Sequence, residues 1–91
     1  MTTQQVLARV AVVFGIESTQ IVAGNRAPNL VEARQAAAFV LRFAHRQSYN
    51  DIAAALGYSD HSTAQWAVQA AANRAKTNPI YSDKITQIGA M

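Results

Sequence analysis

The 91-residue chain contains no cysteine, which excludes disulfides and thiolate metal sites. Its two histidines, His45 and His61, have no further histidine or cysteine to complete a ligand set. No metal and no cofactor is therefore expected. No apolar run approaches the roughly 18 residues of a membrane span. Met1-Thr2-Thr3-Gln4 lacks the charged start of a signal peptide, so a cytoplasmic protein is expected. A nucleotide-binding Gly-x-x-x-x-Gly-Lys-(Ser/Thr) loop is also missing. Charge is sparse: 14% of residues are charged, with a net charge of +3. That balance suits nucleic acid without demanding it.

What the chain has is alanine and helical periodicity. At 91 residues one domain, residues 1–91, is expected, with a modest core. The most informative stretch is Ser48 to Arg74. Ser48 can cap a helix, with Asp51 three residues on as a variant of the capping box. Ile52, Ala55 and Leu56 form its apolar stripe. Gly57 suits a left-handed helix end. Tyr58-Ser59-Asp60 is a turn, and Ser59 or Asp60 caps a second helix with a core face of Ala64, Ala67, Val68, Ala71 and Ala75. A short helix, a glycine turn and a longer helix is the helix-turn-helix arrangement.

The second helix opens with Asp60, His61, Ser62 and Thr63. Packing alone does not require four polar side chains in one turn. A helix whose N-terminus enters the major groove does require them. Histidine, serine and threonine donate or accept, the threonine methyl suits a thymine methyl, and aspartate accepts from cytosine. Capping alone is the competing account of Asp60. Gln65 and Gln69 lie on the His61 face, where glutamine can read adenine or simply meet water. Trp66 falls on the flank between the alanine stripe and that face. It is expected to pack on another element, with contact to DNA sugars as the alternative.

These residues carry a resemblance. Gly57-Tyr58-Ser59-Asp60-His61-Ser62-Thr63 resembles the signature Gly-x-x-Asp-His-(Ser/Thr)-Thr of the DnaA family, the bacterial chromosomal replication initiators. Ala33-Arg34-Gln35 and the segment from Ile52-Ala53 to Leu56-Gly57 match further blocks of the family's C-terminal DNA-binding domain without a gap. The similarity runs from about Val6 to near the C-terminus. It implies an all-α fold, a small helical bundle with a helix-turn-helix of the Trp-repressor or DnaA C-terminal type. It implies double-stranded DNA as partner, a short asymmetric DnaA-box-like site, and a role in replication control or transcription regulation on the nucleoid. Full-length DnaA or other replication proteins are implied as further partners. The family's ATPase module has no counterpart here.

Read in order, Thr2 or Thr3 caps a helix from Gln4 to Phe14, with Val6, Leu7, Val10, Val13 and Phe14 inward. Gly15 closes it. Ser18 caps a short helix, and Ile16, Ile21 and Val22 are expected in the core. Gly24 to Asn29 is a loop. In the family this loop reaches the minor groove through an arginine, which puts Arg26 there; a solvated surface arginine is the alternative. Asn29 is expected to start a long helix, with Glu32 as its capping-box partner, ending near Arg46. Leu30, Ala33, Ala37, Val40, Leu41 and Ala44 mark its buried stripe, with Phe39 and Phe43 wedged beside it. Arg34 matches a family position near the DNA backbone and is expected at a phosphate, or else in an ion pair with Glu32 or Asp51 or on the helix surface. Ser48 and Tyr49 are placed to reach a phosphate through the hydroxyl and the amides of the helix start. Asn78-Pro79 begins a last helix that folds back through Ile80, Tyr81, Ile85 and Ile88.

Catalysis is not expected. Asp60-His61-Ser62 has the letters of a hydrolase triad, but neighbours on one helix point in different directions. The rival to DNA binding is a helical protein-interaction module that keeps the fold. The first turn of polar residues is the feature such a module would not need.

Overall fold

The computed structural model describes residues 2–22 and 27–89. Six helices and no strand lie among them: α1 (Thr3–Phe14), α2 (Ser18–Val22), α3 (Pro28–Phe43), α4 (Tyr49–Leu56), α5 (His61–Thr77) and α6 (Pro79–Gly89). The fold is all-α, as the helical spacing of apolar residues predicts.

α1 begins with a full capping box. The Thr2 hydroxyl accepts from the Gln5 N–H at 3.2 Å, and the Gln5 side chain accepts from the Thr2 N–H at 2.8 Å. Val6, Leu7, Val10 and Ala11 are buried, and Val13 and Phe14 are packed at the margin of the core. Gly15 ends the helix at φ +69°, which lets the Ile16 N–H turn back to the Ala11 carbonyl. In α2 only Ile21 is fully buried. Val22, expected inside, is exposed, because a helix of five residues offers one inward side and Ile21 occupies it.

α3 runs through the middle of the bundle and packs against the other five helices. Leu30, Ala33, Ala37, Val40 and Leu41 are buried as expected. Arg34, Gln35, Ala36 and Ala38 are buried as well, so the covered face is far wider than the apolar stripe. Alanine permits this, since a methyl group lets neighbouring helices come close on several sides. Both ends of α3 differ from expectation. It starts at Pro28, not Asn29, with Ala27 in the cap position and no side-chain cap. Proline at N1 has its φ already set and lacks the N–H that would need a partner. It ends at Phe43, not near Arg46. Arg46 takes a left-handed φ of +55°, and the Gln47 N–H reaches back to the Leu41 carbonyl. Ala44 is thereby exposed, and Phe43, expected as a wedge, is 61% exposed, its ring tilted against Phe39 with centroids 4.8 Å apart.

α6 starts as Asn78-Pro79 predicts, the Asn78 side chain accepting from the Tyr81 N–H at 3.1 Å. Tyr81, Ile85 and Ile88 are buried against the bundle. Ile80, expected with them, is exposed. One residue along a helix turns 100°, and Tyr81 takes the inward direction. The Tyr81 ring meets Phe14 edge-on at 6.0 Å and its hydroxyl donates to the Glu32 carbonyl at 2.8 Å. Burial pushes the Tyr81 hydroxyl up from 10.0 to about 12.

Candidate nucleic-acid interface

α4 and α5 form the helix-turn-helix, and local chemistry fixes each boundary. The Ser48 hydroxyl accepts from the Asp51 N–H at 3.1 Å, so Ser48 is the cap expected of it. Ile52, Ala53 and Leu56 point inward. Gly57 sits at φ +74°, and the Tyr58 N–H folds back to the Ala53 carbonyl at 2.9 Å. A Cβ at Gly57 would lie 3.2 Å from the Val22 carbonyl oxygen, so the turn needs glycine both for its φ and for its approach to α2. Tyr58 seals the turn; burial pushes its hydroxyl up to about 12, against the smaller opposing pull of nearby Arg34.

The cap of α5 is Asp60, which decides between the two candidates. One carboxylate oxygen accepts from the Thr63 N–H at 2.9 Å and from the Thr63 hydroxyl at 3.1 Å. The backbone N–H of Thr63 is the main reason the carboxyl is held below its ordinary value, with the hydroxyl adding to it. Asp60 is therefore a charged acceptor, exposed at the start of the helix. Thr63, half-buried, has spent its hydroxyl proton on Asp60. His61, Ser62 and Gln65 are exposed on the first turns. Ala64, Ala67, Val68 and Ala71 bury the opposite face against the bundle. The structure thus gathers all five residues expected at the major groove at one end of one helix. Trp66, expected to pack on another element, is 65% exposed.

The residues expected at phosphates are placed differently from one another. Ser48 is exposed at the start of α4, with its hydroxyl proton left to donate. Tyr49 is half-buried, its ring 4.3 Å beneath the Arg42 guanidinium. Arg42 also donates to the Gln47 carbonyl at 3.1 Å, so it stiffens the link between α3 and α4. Arg34 is only 8% exposed, and its Nε donates to the Ile21 carbonyl at 2.6 Å. It braces α3 against the last turn of α2. Arg26 lies outside the described residues.

One polar cluster was not foreseen. Arg74 of α5 donates to the Gln35 side chain, pairs with Glu32 at 3.5 Å and stacks 5.2 Å from the Tyr81 ring. Glu32 is thus an ion-pair partner of Arg74 and not a cap residue of α3. The signal was available: Arg74 stands three residues after Ala71 and seven after Ala67, on the flank of the inward stripe. Among the described residues no group of three His, Cys, Asp or Glu could hold a metal ion, and no helix is long and apolar enough to cross a membrane.

Comparison with known proteins gives this geometry a context. Residues 3–70 match the family described as bacterial dnaA protein helix-turn-helix. The whole chain is similar to the chromosomal replication initiator protein DnaA of Wolbachia sp. subsp. Brugia malayi (strain TRS), at 33% identity over 92 residues. The chain spans 20% of the length of that relative.

Proposed function

The chain belongs to the bacterial DnaA helix-turn-helix family, and we propose that it binds double-stranded DNA sequence-specifically, at a DnaA-box-like site. The observation that carries this is the start of α5, where Asp60, His61, Ser62 and Gln65 stand exposed beside a half-buried Thr63 on a helix anchored by alanines. Those side chains read base edges in the major groove. The exposed Asp60 carboxylate accepts from a cytosine amino group, and the Thr63 methyl meets a thymine methyl. Arg26 enters the adjacent minor groove. Ser48, with the first amides of α4, takes a phosphate beside the groove, and Tyr49 supports it there. Arg34 serves the same surface from beneath, fixing the end of α2 from which the chain runs on to Arg26. No step of this role is catalytic, and residues 1–91 act as one DNA-binding domain.

A DNA-binding domain of this family acts in replication control or in transcription regulation, by occupying sites on the nucleoid. Full-length DnaA is the natural partner or competitor there. The alternative is a protein-interaction module, and what favours it is that Arg34, Arg42 and Arg74 are all engaged within the fold.

The test is fluorescence anisotropy with a duplex carrying a DnaA-box-like site and with a scrambled duplex, at low and moderate salt. The box is expected to bind more tightly. His61→Ala is expected to weaken it by about tenfold or more, the usual worth of a base contact. Arg26→Ala is expected to weaken it too. Wild-type protein that binds neither duplex at low salt leaves the protein-interaction module in front.

A further inference from the structure

The reading helix exposes a large aromatic ring that the fold does not use. α5 buries Ala64, Ala67, Val68 and Ala71. At 100° per residue, the direction opposite that stripe is marked by Ser62, Trp66, Gln69 and Asn73, and all four are exposed. Trp66 therefore continues, one turn along, the row that begins at Ser62 in the first turn. Its neighbours in the row are polar. The centre of a protein–protein contact sets its aromatic anchor among residues that exclude water, and this row does not.

We propose that Trp66 is a DNA-contacting residue, its indole lying against the sugar-phosphate strand that walls the major groove. The inference rests on the reading that the first turn of α5 enters that groove. The groove is about 8.5 Å deep. A helix rises about 1.5 Å per residue, which sets Trp66 about 6 Å above Ser62 along the axis. With Ser62 at the base edges, Trp66 stands at the level of the deoxyribose and phosphate. A wall of phosphates is ordinarily met by lysine or arginine, but Ser62, Gln69 and Asn73 are uncharged and Arg74 is turned inward to Gln35 and Glu32. The indole N–H is a donor with no acceptor capacity, so it matches a phosphate oxygen. The face of the ring matches the apolar side of the sugar.

The experiment titrates the 91-residue chain with the DnaA-box-like duplex and reads both the anisotropy of labelled DNA and the emission of Trp66, the single tryptophan of the chain. Emission is expected to change with the same midpoint as anisotropy. Trp66→Ala is expected to weaken binding about tenfold, as for a lost hydrogen bond to a charged group. The slope of affinity against salt is expected to stay the same, because a neutral side chain releases no counterions. Trp66→Phe, which keeps the ring and loses the N–H, recovers part of the affinity. The melting temperature of Trp66→Ala, measured alongside, is expected to match wild type, since the side chain is exposed. Duplex binding with unmoved emission and an undiminished Trp66→Ala affinity overturns this assignment and spares the DNA reading. Absence of wild-type binding at low salt overturns both.

Discussion

Replacing Gly57 by alanine tests the geometry of the turn that aims α5. Gly57 holds φ +74°, a conformation that costs an L-residue about 1–2 kcal/mol. The new Cβ also meets the Val22 carbonyl oxygen at 3.2 Å and the Val22 Cγ1 at 3.4 Å. A backbone oxygen at the end of a helix cannot rotate away, so α2 or the turn has to shift, for about 1 kcal/mol more. Gly15 is a built-in control. It has nearly the same φ, +69°, but an added Cβ there meets nothing within 4 Å. Gly15→Ala therefore bears the conformational cost alone, reduced somewhat by the lower entropy of its unfolded chain, for about 1 kcal/mol net. With the same reduction, Gly57→Ala is expected to cost about 2 kcal/mol in all, about 1 kcal/mol more than the control. For a domain of this size each kcal/mol lowers the melting temperature by about 4–8 °C. Thermal unfolding followed by far-UV circular dichroism separates the two variants on that scale. Equal melting temperatures for both would refute the close approach of α2 to the turn. Unchanged melting temperatures in both would refute the left-handed assignment itself.

Arg46→Gly is expected to raise stability by about 1 kcal/mol, because the left-handed φ of +55° costs arginine more than glycine; a chemical-denaturation midpoint that falls instead overturns the strain argument. Asp60→Ala removes the cap of α5 and is expected to lower the melting temperature at neutral pH. The Asp60 carboxyl is held below its ordinary 3.8 in the folded chain, so its contribution is present above that value and lost as pH falls through the folded value. The gap between wild type and Asp60→Ala should close on acidification, and a gap that is constant down the acid range contradicts it. Tyr58 and Tyr81 are pushed from 10.0 to about 12. A raised folded value means that stability is intact below 10 and declines as pH rises from 10 toward 12. An ultraviolet phenolate titration should show two tyrosines ionising near 12 or together with alkaline unfolding, and two ordinary titrations near 10 would show that neither is buried.

The elements of this fold were legible because their ends are written in short-range chemistry. Thr2, Gly15, Ser48, Gly57, Asn78 and Pro79 each fix a boundary through a cap or a left-handed φ, and the structure places every one where its residue type predicts. The ends of α3 were missed for the same reason turned around. Ala27 carries no capping group, so only the proline after it marks the start, and the far end is set by an arginine in a conformation glycine would signal. Misplaced apolar residues have two causes. Val22 and Ile80 each sit beside a residue that already faces the core, Ile21 and Tyr81, and composition cannot say which of two adjacent apolar side chains turns inward; Phe43 stands at the last position of α3, where the helix ends earlier than its spacing suggests. The reading residues of α5 were legible as a cluster because His61, Ser62 and Gln65 need only be outside a stripe of alanines. Arg34 and Arg74 were harder. What a long cation reaches depends on helices distant in sequence, thirteen residues away for the Arg34 bond to Ile21 and thirty-nine for the Arg74 bond to Gln35.

Those inward arginines shape the proposed interface. Arg34 ties α3 to α2, Arg42 ties α3 to α4, and Arg74 ties α5 to α3. Lys84 lies 4.8 Å over the Phe14 ring on another side of the bundle. Four of the eight Lys and Arg residues of the chain, Arg34, Arg42, Arg74 and Lys84, are thus held against the fold, which leaves fewer to neutralise phosphates. Each phosphate contact contributes about −0.9 to the logarithmic dependence of affinity on salt. A domain that holds DNA through Arg26 and a small number of other charges should therefore bind with a shallow salt dependence. On the proposed reading its affinity comes from contacts that do not depend on charge: the base edges proposed for the first turn of α5, and the groove wall proposed for Trp66. Rigidity is what the braces supply in return. Base contacts discriminate only when the donors and acceptors are held in register, and α5 is anchored at one end by the Asp60 cap, along its length by its alanines on the core, and at the other end by Arg74. If the proposed DNA binding holds, the same arginines that withhold charge from the backbone favour a binder whose preference for its site is large relative to its total affinity.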